Sequence, residues 1–170
     1  MINIPPWLRQ DIKKNQYPCP TCSKIITEEG IIGIGIRISS KFKDKTVFFF
    51  EFLCTCKNKV LVELMKDDKI DSIIFSGGMG LSKKEITYET LEPRLEKKIN
   101  GFGELFRYLT YNEIGTSAML SRATAGILRS KKKSKAIFLL PGSPDAVRLA
   151  LQNIIIPELG HILSIINKEE

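Results

Sequence analysis

The sequence predicts an α/β fold, in which a doubly wound, mostly parallel sheet follows a small cysteine-containing β-hairpin segment. Two short apolar runs, at residues 70–75 and 136–140, have the length of buried strands, and each ends in a glycine-containing turn. Segments with helical spacing of apolar residues follow both turns. Alternating strands and helices with glycine turns at the strand ends are typical of open sheets that bind ligands there.

Composition places the chain among globular proteins. Of its 170 residues, 43% are hydrophobic and 26% are charged, which excludes a mostly disordered chain. No uninterrupted apolar run approaches the roughly 20 residues of a membrane span. The first residues lack the pattern of a secretory signal. We therefore expect a cytoplasmic protein without a membrane partner.

The net charge of +7 is concentrated in the first part of the chain. Residues 1–66 contain 11 basic and 6 acidic side chains, whereas residues 67–170 contain 15 and 13. A basic segment can contact nucleic acid, but many soluble proteins carry a similar excess without doing so. We expect no nucleic-acid partner.

Cysteine usage also divides the chain, into a segment 1–66 and a domain 67–170. The cysteines form a C-x-x-C pair and a C-x-C pair, both in the first segment. Without a secretion signal, clustered cysteines indicate metal ligands more often than disulfides, and four thiolates suit structural Zn²⁺. The alternative is reduced thiols without a metal. The predicted ligands are Cys19, Cys22, Cys54 and Cys56.

The residues between the two cysteine pairs predict an antiparallel hairpin. Residues 31–38 alternate with period two, residues 46–53 are rich in phenylalanine, and the polar stretch 39–45 separates them. A hairpin would bring the two pairs together, as in a zinc ribbon. The match is loose, because the second pair has one intervening residue where ribbons usually have two.

In the second segment, the strand 70–75 runs into a glycine-rich loop at residues 76–80. Backbone N–H groups in such a loop can approach a phosphate closely, although glycine turns after strands are common without any ligand. Thr87 is a candidate N-cap for a helix over residues 88–99, with Pro93 moving the helix start towards Leu91. Gly101 and Gly103 are expected to interrupt the helical pattern.

Two further stretches have the residue types of a binding site. Residues 114–123 combine hydroxyls with Arg122, which suits an anionic or heteroaromatic ligand, or else a capped helix with a structural arginine. Residues 129–135 hold five basic residues and indicate a solvated loop. After the strand 136–140, Ser143 as N-cap and Pro144 at the first helical position predict a helix N-terminus that favours anions.

Five separated blocks, in this order, resemble the molybdenum-cofactor biosynthesis MoaB/MogA family. The resemblance covers about residues 68–166 and implies a doubly wound α/β fold, usually assembled as a homotrimer. It also implies binding of molybdopterin, a pterin with a dithiolene and a terminal phosphate. Active members transfer AMP from Mg-ATP to that phosphate and release pyrophosphate. The blocks are Ser76–Leu81, Gly101–Arg107, Ile114–Arg122, Leu140–Pro144 and Pro157–His161.

The resemblance implies a set of site residues. Glu85 would be the catalytic carboxylate that holds Mg²⁺ with ATP. The alternative is a non-catalytic module that binds molybdopterin or a protein partner and carries a structural zinc hairpin. The implied substrate-binding residues are Ser76, Gly77, Gly78, Met79, Gly80, Glu104, Ser117, Ser121, Arg122, Pro141, Gly142, Ser143 and Pro144.

Three departures from the family pattern affect these expectations. Met79 replaces the usual threonine, which removes a hydroxyl and adds a group expected to crowd the site. Glu85 replaces the usual aspartate and reaches one methylene further. The βα units that precede the first glycine loop in the family have no counterpart in residues 1–66, so the domain is predicted to be truncated, with the hairpin covering the exposed sheet edge.

Overall fold

A computed structural model of the protein describes residues 34–37, 46–51, 61, 64–130 and 133–168, the first two ranges by their backbone alone. The four cysteines and the polar stretch 39–45 lie outside the described residues. The predicted zinc site therefore stays a prediction.

The described strands form one six-stranded sheet in the order β1-β2-β3-β6-β5-β4. Neighbouring strands β2, β3 and β6 are parallel, whereas β1, β5 and β4 pair antiparallel with β2, β6 and β5. Because β5 runs opposite to β6, and β4 runs opposite to β5, β4 runs in the same direction as the central strands. The sheet is mixed, with four of its six described strands running in one direction. The strands are β1 Ile34–Arg37, β2 Thr46–Glu51, β3 Ser72–Ser76, β4 Lys97–Lys98, β5 Thr124–Arg129 and β6 Ser134–Leu140.

The predicted hairpin is part of this sheet. Strands β1 and β2 pair antiparallel, with Ile34 opposite Phe49. Strand β2 also pairs in parallel with β3, with Val47 opposite Ser72. The hairpin thus lies on the edge of β3 that the sequence expected it to cover. The two segments share one sheet, and a domain boundary at residue 66 stays a prediction.

Helices flank the sheet. A 3₁₀ turn, Glu92–Arg94, follows α1, and a second one, Gly115–Leu120, follows α2. A π-helical stretch, Leu151–Ile155, joins α3 to α4 without a break. The helices are α1 Thr87–Leu91, α2 Asn100–Ile114, α3 Pro144–Ala150 and α4 Ile156–Ile166.

Apolar side chains of the central strands alternate between two core clusters, which is why the sheet is buried on both faces. On one face, Ile74 and Phe138 pack with Phe102 and Phe106 of α2 and with apolar residues of α3 and α4. On the other face, strand residues pack with α1 and the chain before β3; these strand residues are Ile73, Phe75, Ile137 and Leu139. Covered faces of this kind confirm the predicted α/β class.

The long helix from Pro144 to Ile166 is apolar enough, by length and composition, to cross a membrane. The core helix of a soluble protein passes the same test, and 33% of its most apolar window is buried inside the protein. Leu149, Ile155, Leu159 and Leu163 pack into the core cluster over the sheet. One side of this helix therefore packs against the sheet.

Two helix predictions were wrong. Helix α1 ends at Leu91 instead of continuing to Ile99, because Pro93 cannot continue the helix and lies in a 3₁₀ turn that begins at Glu92. Helix α2 runs through Gly101 and Gly103, which the sequence expected to interrupt it. A Cβ atom on Gly103 would lie 2.6 Å from the carbonyl oxygen of Ala123, so this glycine allows the helix to approach the segment leading into β5.

The prediction of a solvated loop at 129–135 was wrong for Lys135. This residue lies in β6 and is completely buried. Its ammonium group donates hydrogen bonds to the carbonyl oxygens of Leu64 and Asp67, at 2.7 and 2.6 Å. The lysine thereby holds the chain before β3 against the sheet.

Candidate functional site: a braced glycine loop beside a polar cavity

The two glycine-containing turns predicted from the sequence lie side by side. They follow β3 and β6, which are parallel neighbours, so both turns lie at the same edge of the sheet. The N–H of Gly77 donates to the carbonyl oxygen of Leu140 at 3.0 Å. The hydroxyl of Ser76 donates to the carbonyl oxygen of Pro141 at 3.1 Å. Residues 76–80, called the glycine loop below, are thus tied to the turn after β6.

Backbone conformation explains the first two glycines of the loop. Gly77 and Gly78 have φ angles of +84° and +67°, which side-chain-bearing residues rarely adopt. Their two carbonyl groups are held by one residue, Thr87, at the start of α1. Its hydroxyl donates to Gly77 O at 2.7 Å, and its N–H donates to Gly78 O at 2.9 Å.

The loop also presents unused hydrogen-bond donors. Among the described residues, none accepts a hydrogen bond from the N–H of Gly78 or of Met79. Gly78 is partly exposed. Adjacent backbone N–H groups in a glycine-rich turn form an anion-binding concavity. These N–H groups are therefore candidate donors for an anion, that of Gly78 on a partly exposed residue and that of Met79 on a residue only 2% exposed.

Met79 does not crowd the site as the sequence suggested. Its side chain is only 2% exposed and packs in the core cluster that contains Leu91. The departure from threonine therefore removes a hydroxyl and adds a core contact. The Met79 side chain thereby anchors the loop to this core cluster.

Arg122 holds the second half of the loop. Its Nε donates to Met79 O at 2.6 Å and one Nη donates to Gly80 O at 2.5 Å. The other Nη pairs with Glu89, and the guanidinium lies 4.9 Å from the centre of the Tyr88 ring. The hydrogen bond from Arg122 lowers the pKa of the Glu89 carboxyl. Arg122 was predicted to bind substrate, and its donors are engaged with the loop and with Glu89.

Glu85 folds back onto the loop. One carboxylate oxygen accepts the N–H of Gly80, and a Cβ on Gly80 would fall on this carboxylate. The predicted catalytic group therefore lies beside the loop and also braces it. The described residues contain no cluster of three or more acidic, histidine or cysteine side chains that could hold a metal ion.

The helix start after β6 has the predicted cap. Ser143 Oγ accepts the N–H of Ala146 at 3.3 Å, and Pro144 lies in the first helical turn. Pro141 and Gly142 connect this cap to β6 and are partly exposed. The Ser143 hydroxyl is thus engaged in capping, and its predicted contact with substrate stays a prediction.

A cavity of about 510 Å³ is connected to the glycine loop through Arg122, although residues 76–80 do not line it themselves. Three predicted site residues, Glu104, Ser121 and Arg122, line it. Arg122 is shared by the cavity and the loop. Ser117, in contrast, is exposed on the 3₁₀ turn after α2 and does not line the cavity.

The cavity also contains residues that sequence reasoning missed. Lys98 pairs with Glu92, and this hydrogen bond raises the pKa of Lys98. Both residues precede the glycine-containing block at 101–107 in sequence. Only the folded chain places them in the lining of the same cavity. Asn100 and Arg107 belong to or adjoin that block, and their polarity was the available signal. The missed lining residues include Tyr88, Glu92, Lys98, Asn100, Arg107 and Met119.

Comparison with known proteins identifies the family. The model of the probable molybdopterin binding domain matches residues 56–161, more than half of the chain. The chain belongs to this family. The matching solved structures include proteins named MoaB and MogA, as the resemblance indicated. The match begins at residue 56 and gives the zinc-ribbon interpretation no support.

Two relatives show how far the similarity extends. Molybdenum cofactor biosynthesis protein B of Halalkalibacterium halodurans is 50% identical over 101 residues, which cover 59% of this chain and 57% of the relative. The protein of the same name from Staphylococcus aureus is 48% identical over 103 residues, covering 60% of this chain and 59% of the relative. The chain thus spans less than two thirds of the length of these family members.

Solved structures of the family share the fold. A crystal structure of molybdenum cofactor biosynthesis protein B is 41% identical, with a TM-score of 0.60 over 65% of this chain and 67% of the other. The tungsten cofactor synthesizing protein MoaB from Pyrococcus furiosus is 38% identical, with a TM-score of 0.59 over 66% of this chain and 70% of the other. The similarity therefore extends to molybdenum and tungsten proteins of the family.

Proposed function

We propose that this protein acts in molybdenum-cofactor biosynthesis by binding molybdopterin and transferring AMP from Mg-ATP to its terminal phosphate. The observation that carries the proposal is the pair of N–H groups, of Gly78 and Met79, that have no acceptor among the described residues, on a loop that shares Arg122 with a cavity. The relatives support it, because they are named for molybdenum or tungsten cofactor synthesis.

The two parts of the site match the two ends of molybdopterin. A terminal phosphate suits the loop, where main-chain N–H groups provide donors without a charged side chain. The pterin presents adjacent N–H donors on its pyrimidinone edge, which a carboxylate can accept in pairs. Glu104 lines the cavity and is the carboxylate we assign to this edge.

The proposed reaction is a nucleotidyl transfer. A terminal-phosphate oxygen of molybdopterin attacks the α-phosphorus of ATP, a new P–O bond forms, and the bond to the leaving pyrophosphate breaks. Such reactions depend on positioning and charge neutralisation more than on covalent catalysis. The loop would hold the nucleophilic phosphate in place.

Glu85 is the carboxylate we assign to Mg²⁺, which would neutralise phosphate charge. Mg²⁺ is commonly held by one or two carboxylates together with substrate phosphates. One Glu85 oxygen already accepts the N–H of Gly80, which leaves the other for the ion. A single protein carboxylate fits this donor set only if ATP supplies further oxygens.

Self-association is also part of the proposal. Apolar side chains remain exposed along α2 and the turn after it, where a homotrimer contact would bury them. Four of them follow at three-residue spacing on the helix. These residues are Leu105, Tyr108, Tyr111, Ile114, Met119 and Leu120.

The test is a turnover assay with molybdopterin and Mg-ATP under anaerobic conditions, following pyrophosphate release. We expect product from the unmodified protein and a loss of about a hundredfold in Glu85→Gln, which keeps the oxygen that braces Gly80 but removes the charge. The matched control is Glu113→Gln, an exposed glutamate on α2, which should retain activity.

Two results would contradict this assignment. Molybdopterin binding without any pyrophosphate would replace the transferase by the non-catalytic binding module. Turnover that is equal in both variants would remove Glu85 from the reaction.

A further inference from the structure

Thr87 is a buried residue that contacts the main chain of the glycine loop. It is 1% exposed, and neither the cavity lining nor the predicted substrate-binding set includes it. The sequence suggested an N-cap, but Ile86 occupies that position and the Thr87 hydroxyl donates to the loop instead. Its two donors reach two consecutive carbonyl groups, those of Gly77 and Gly78.

Peptide planarity turns these two contacts into control over two donors. In a trans peptide, the C=O of one residue and the N–H of the next point in opposite directions within one plane. The Gly77 carbonyl therefore shares its plane with the Gly78 N–H, and the Gly78 carbonyl shares its plane with the Met79 N–H. Holding both carbonyls towards Thr87 directs both N–H groups away from it.

Glycine at both positions makes this control necessary. Gly77 and Gly78 can adopt positive and negative φ angles with similar ease, so their peptide planes are free to rotate. A fixed donor pair binds an anion better than one that must be ordered on binding. The next carbonyls, of Met79 and Gly80, are held separately by Arg122.

We propose that Thr87 is a positioning residue that aims the N–H groups of Gly78 and Met79 at the ligand phosphate. This inference rests on the proposed binding of molybdopterin at the glycine loop. Thr87 itself touches no ligand and acts through the two peptide planes.

The test compares two buried threonines of the full chain. Thr110 is 6% exposed, and its hydroxyl donates to Phe106 O at 2.8 Å within α2, away from the loop. Thr87→Val and Thr110→Val each remove one buried hydroxyl while keeping the side-chain shape. We expect Thr87→Val to weaken molybdopterin binding by about tenfold, and Thr110→Val to leave it unchanged.

Conservative variants and NMR separate positioning from stability. Thr87→Ser retains the hydroxyl and should restore affinity, whereas Thr87→Ala should reproduce the loss if Thr87→Val does not fold. In the free protein, the amide signal of Gly78 should move in Thr87→Val, because the Gly77 carbonyl loses the hydroxyl that holds it, and should stay in place in Thr110→Val. The main-chain N–H of residue 87 still holds the Gly78 carbonyl in every variant, so the Met79 signal should move less.

The outcomes separate the proposed function from the positioning role of Thr87. If the unmodified protein does not bind molybdopterin, the proposed function and this inference both fail. If it binds, and Thr87→Val binds equally well with an unchanged Gly78 signal, only the positioning role fails.

Discussion

Lys135 shows how a single residue departs from what its sequence neighbours indicate. It closes a basic stretch and was predicted to be solvated, yet it is completely buried in β6. The available signal was strand alternation, because residues 135, 137 and 139 share one face of the sheet. Charge patterning outweighed that signal in the sequence analysis.

Replacing Lys135 should destabilise the fold in a pH-dependent way. Lys135→Met removes the ammonium donor from the Leu64 carbonyl and leaves the Asp67 carbonyl with the N–H of Ile70 alone, so we expect the free energy of unfolding to fall by about 1–3 kcal/mol. Urea unfolding at neutral pH measures this loss. The exposed Lys83→Met is the matched control and should change the free energy little.

The pH dependence follows from the direction of the pKa shift. Burial, and secondarily the charge of Lys133, lower the pKa of Lys135 below its usual 10.5. The unfolded chain then binds more protons between the two pKa values, so stability rises with pH in that window. The difference in unfolding free energy between wild type and Lys135→Met should grow as pH approaches 10.5. A difference that stays flat or shrinks would contradict the shift.

At the scale of elements, strands were easier to predict from sequence than helices. The strands at 70–75 and 136–140 were found because short, mainly apolar runs reflect burial on both faces. The helix at 88–99 was overextended, because Leu91 and Ile99 look like one stripe but pack on opposite faces of the sheet. Tertiary packing decides where such a helix ends, and the periodicity of apolar residues alone does not reveal that packing.

The two glycines of α2 should respond oppositely to alanine. A Cβ on Gly101 meets nothing within 4 Å, so Gly101→Ala should stabilise the helix by roughly 0.5–1 kcal/mol. A Cβ on Gly103 meets Ala123 O at 2.6 Å, and Gly103→Ala should destabilise by roughly 1–3 kcal/mol. Urea unfolding of both variants measures the difference. Equal effects would refute the close approach of α2 to the segment before β5.

The candidate site was predictable where it depends on local motifs, and unpredictable where it depends on tertiary contacts. The glycine loop and the Ser143 cap were both found from turn chemistry. The engagement of Arg122 with Met79 and Gly80 spans more than forty positions, and no local pattern reveals it. The same holds for Lys98 and Glu92 in the cavity.

At the scale of the whole molecule, the sheet connects the family-specific part of the chain to the segment that precedes it. The family model begins at residue 56, after β2. Strand β2 nevertheless pairs in parallel with β3, whose other edge pairs with β6. The unmatched segment therefore supplies the neighbour of a central strand.

Removing that segment should make the protein associate through an open sheet edge. A fragment of residues 56–170 would expose the hydrogen-bonding groups of β3, and unpaired edges promote pairing between chains. We expect size-exclusion chromatography with light scattering to show concentration-dependent species larger than those of the full chain. In the full chain, trypsin should not release a stable fragment that begins near residue 67. Loss of a strand that covers β3 must expose unpaired hydrogen-bonding groups, which changes assembly or stability. A fragment with the same assembly state and stability as the full chain would therefore mean that the segment does not cover β3.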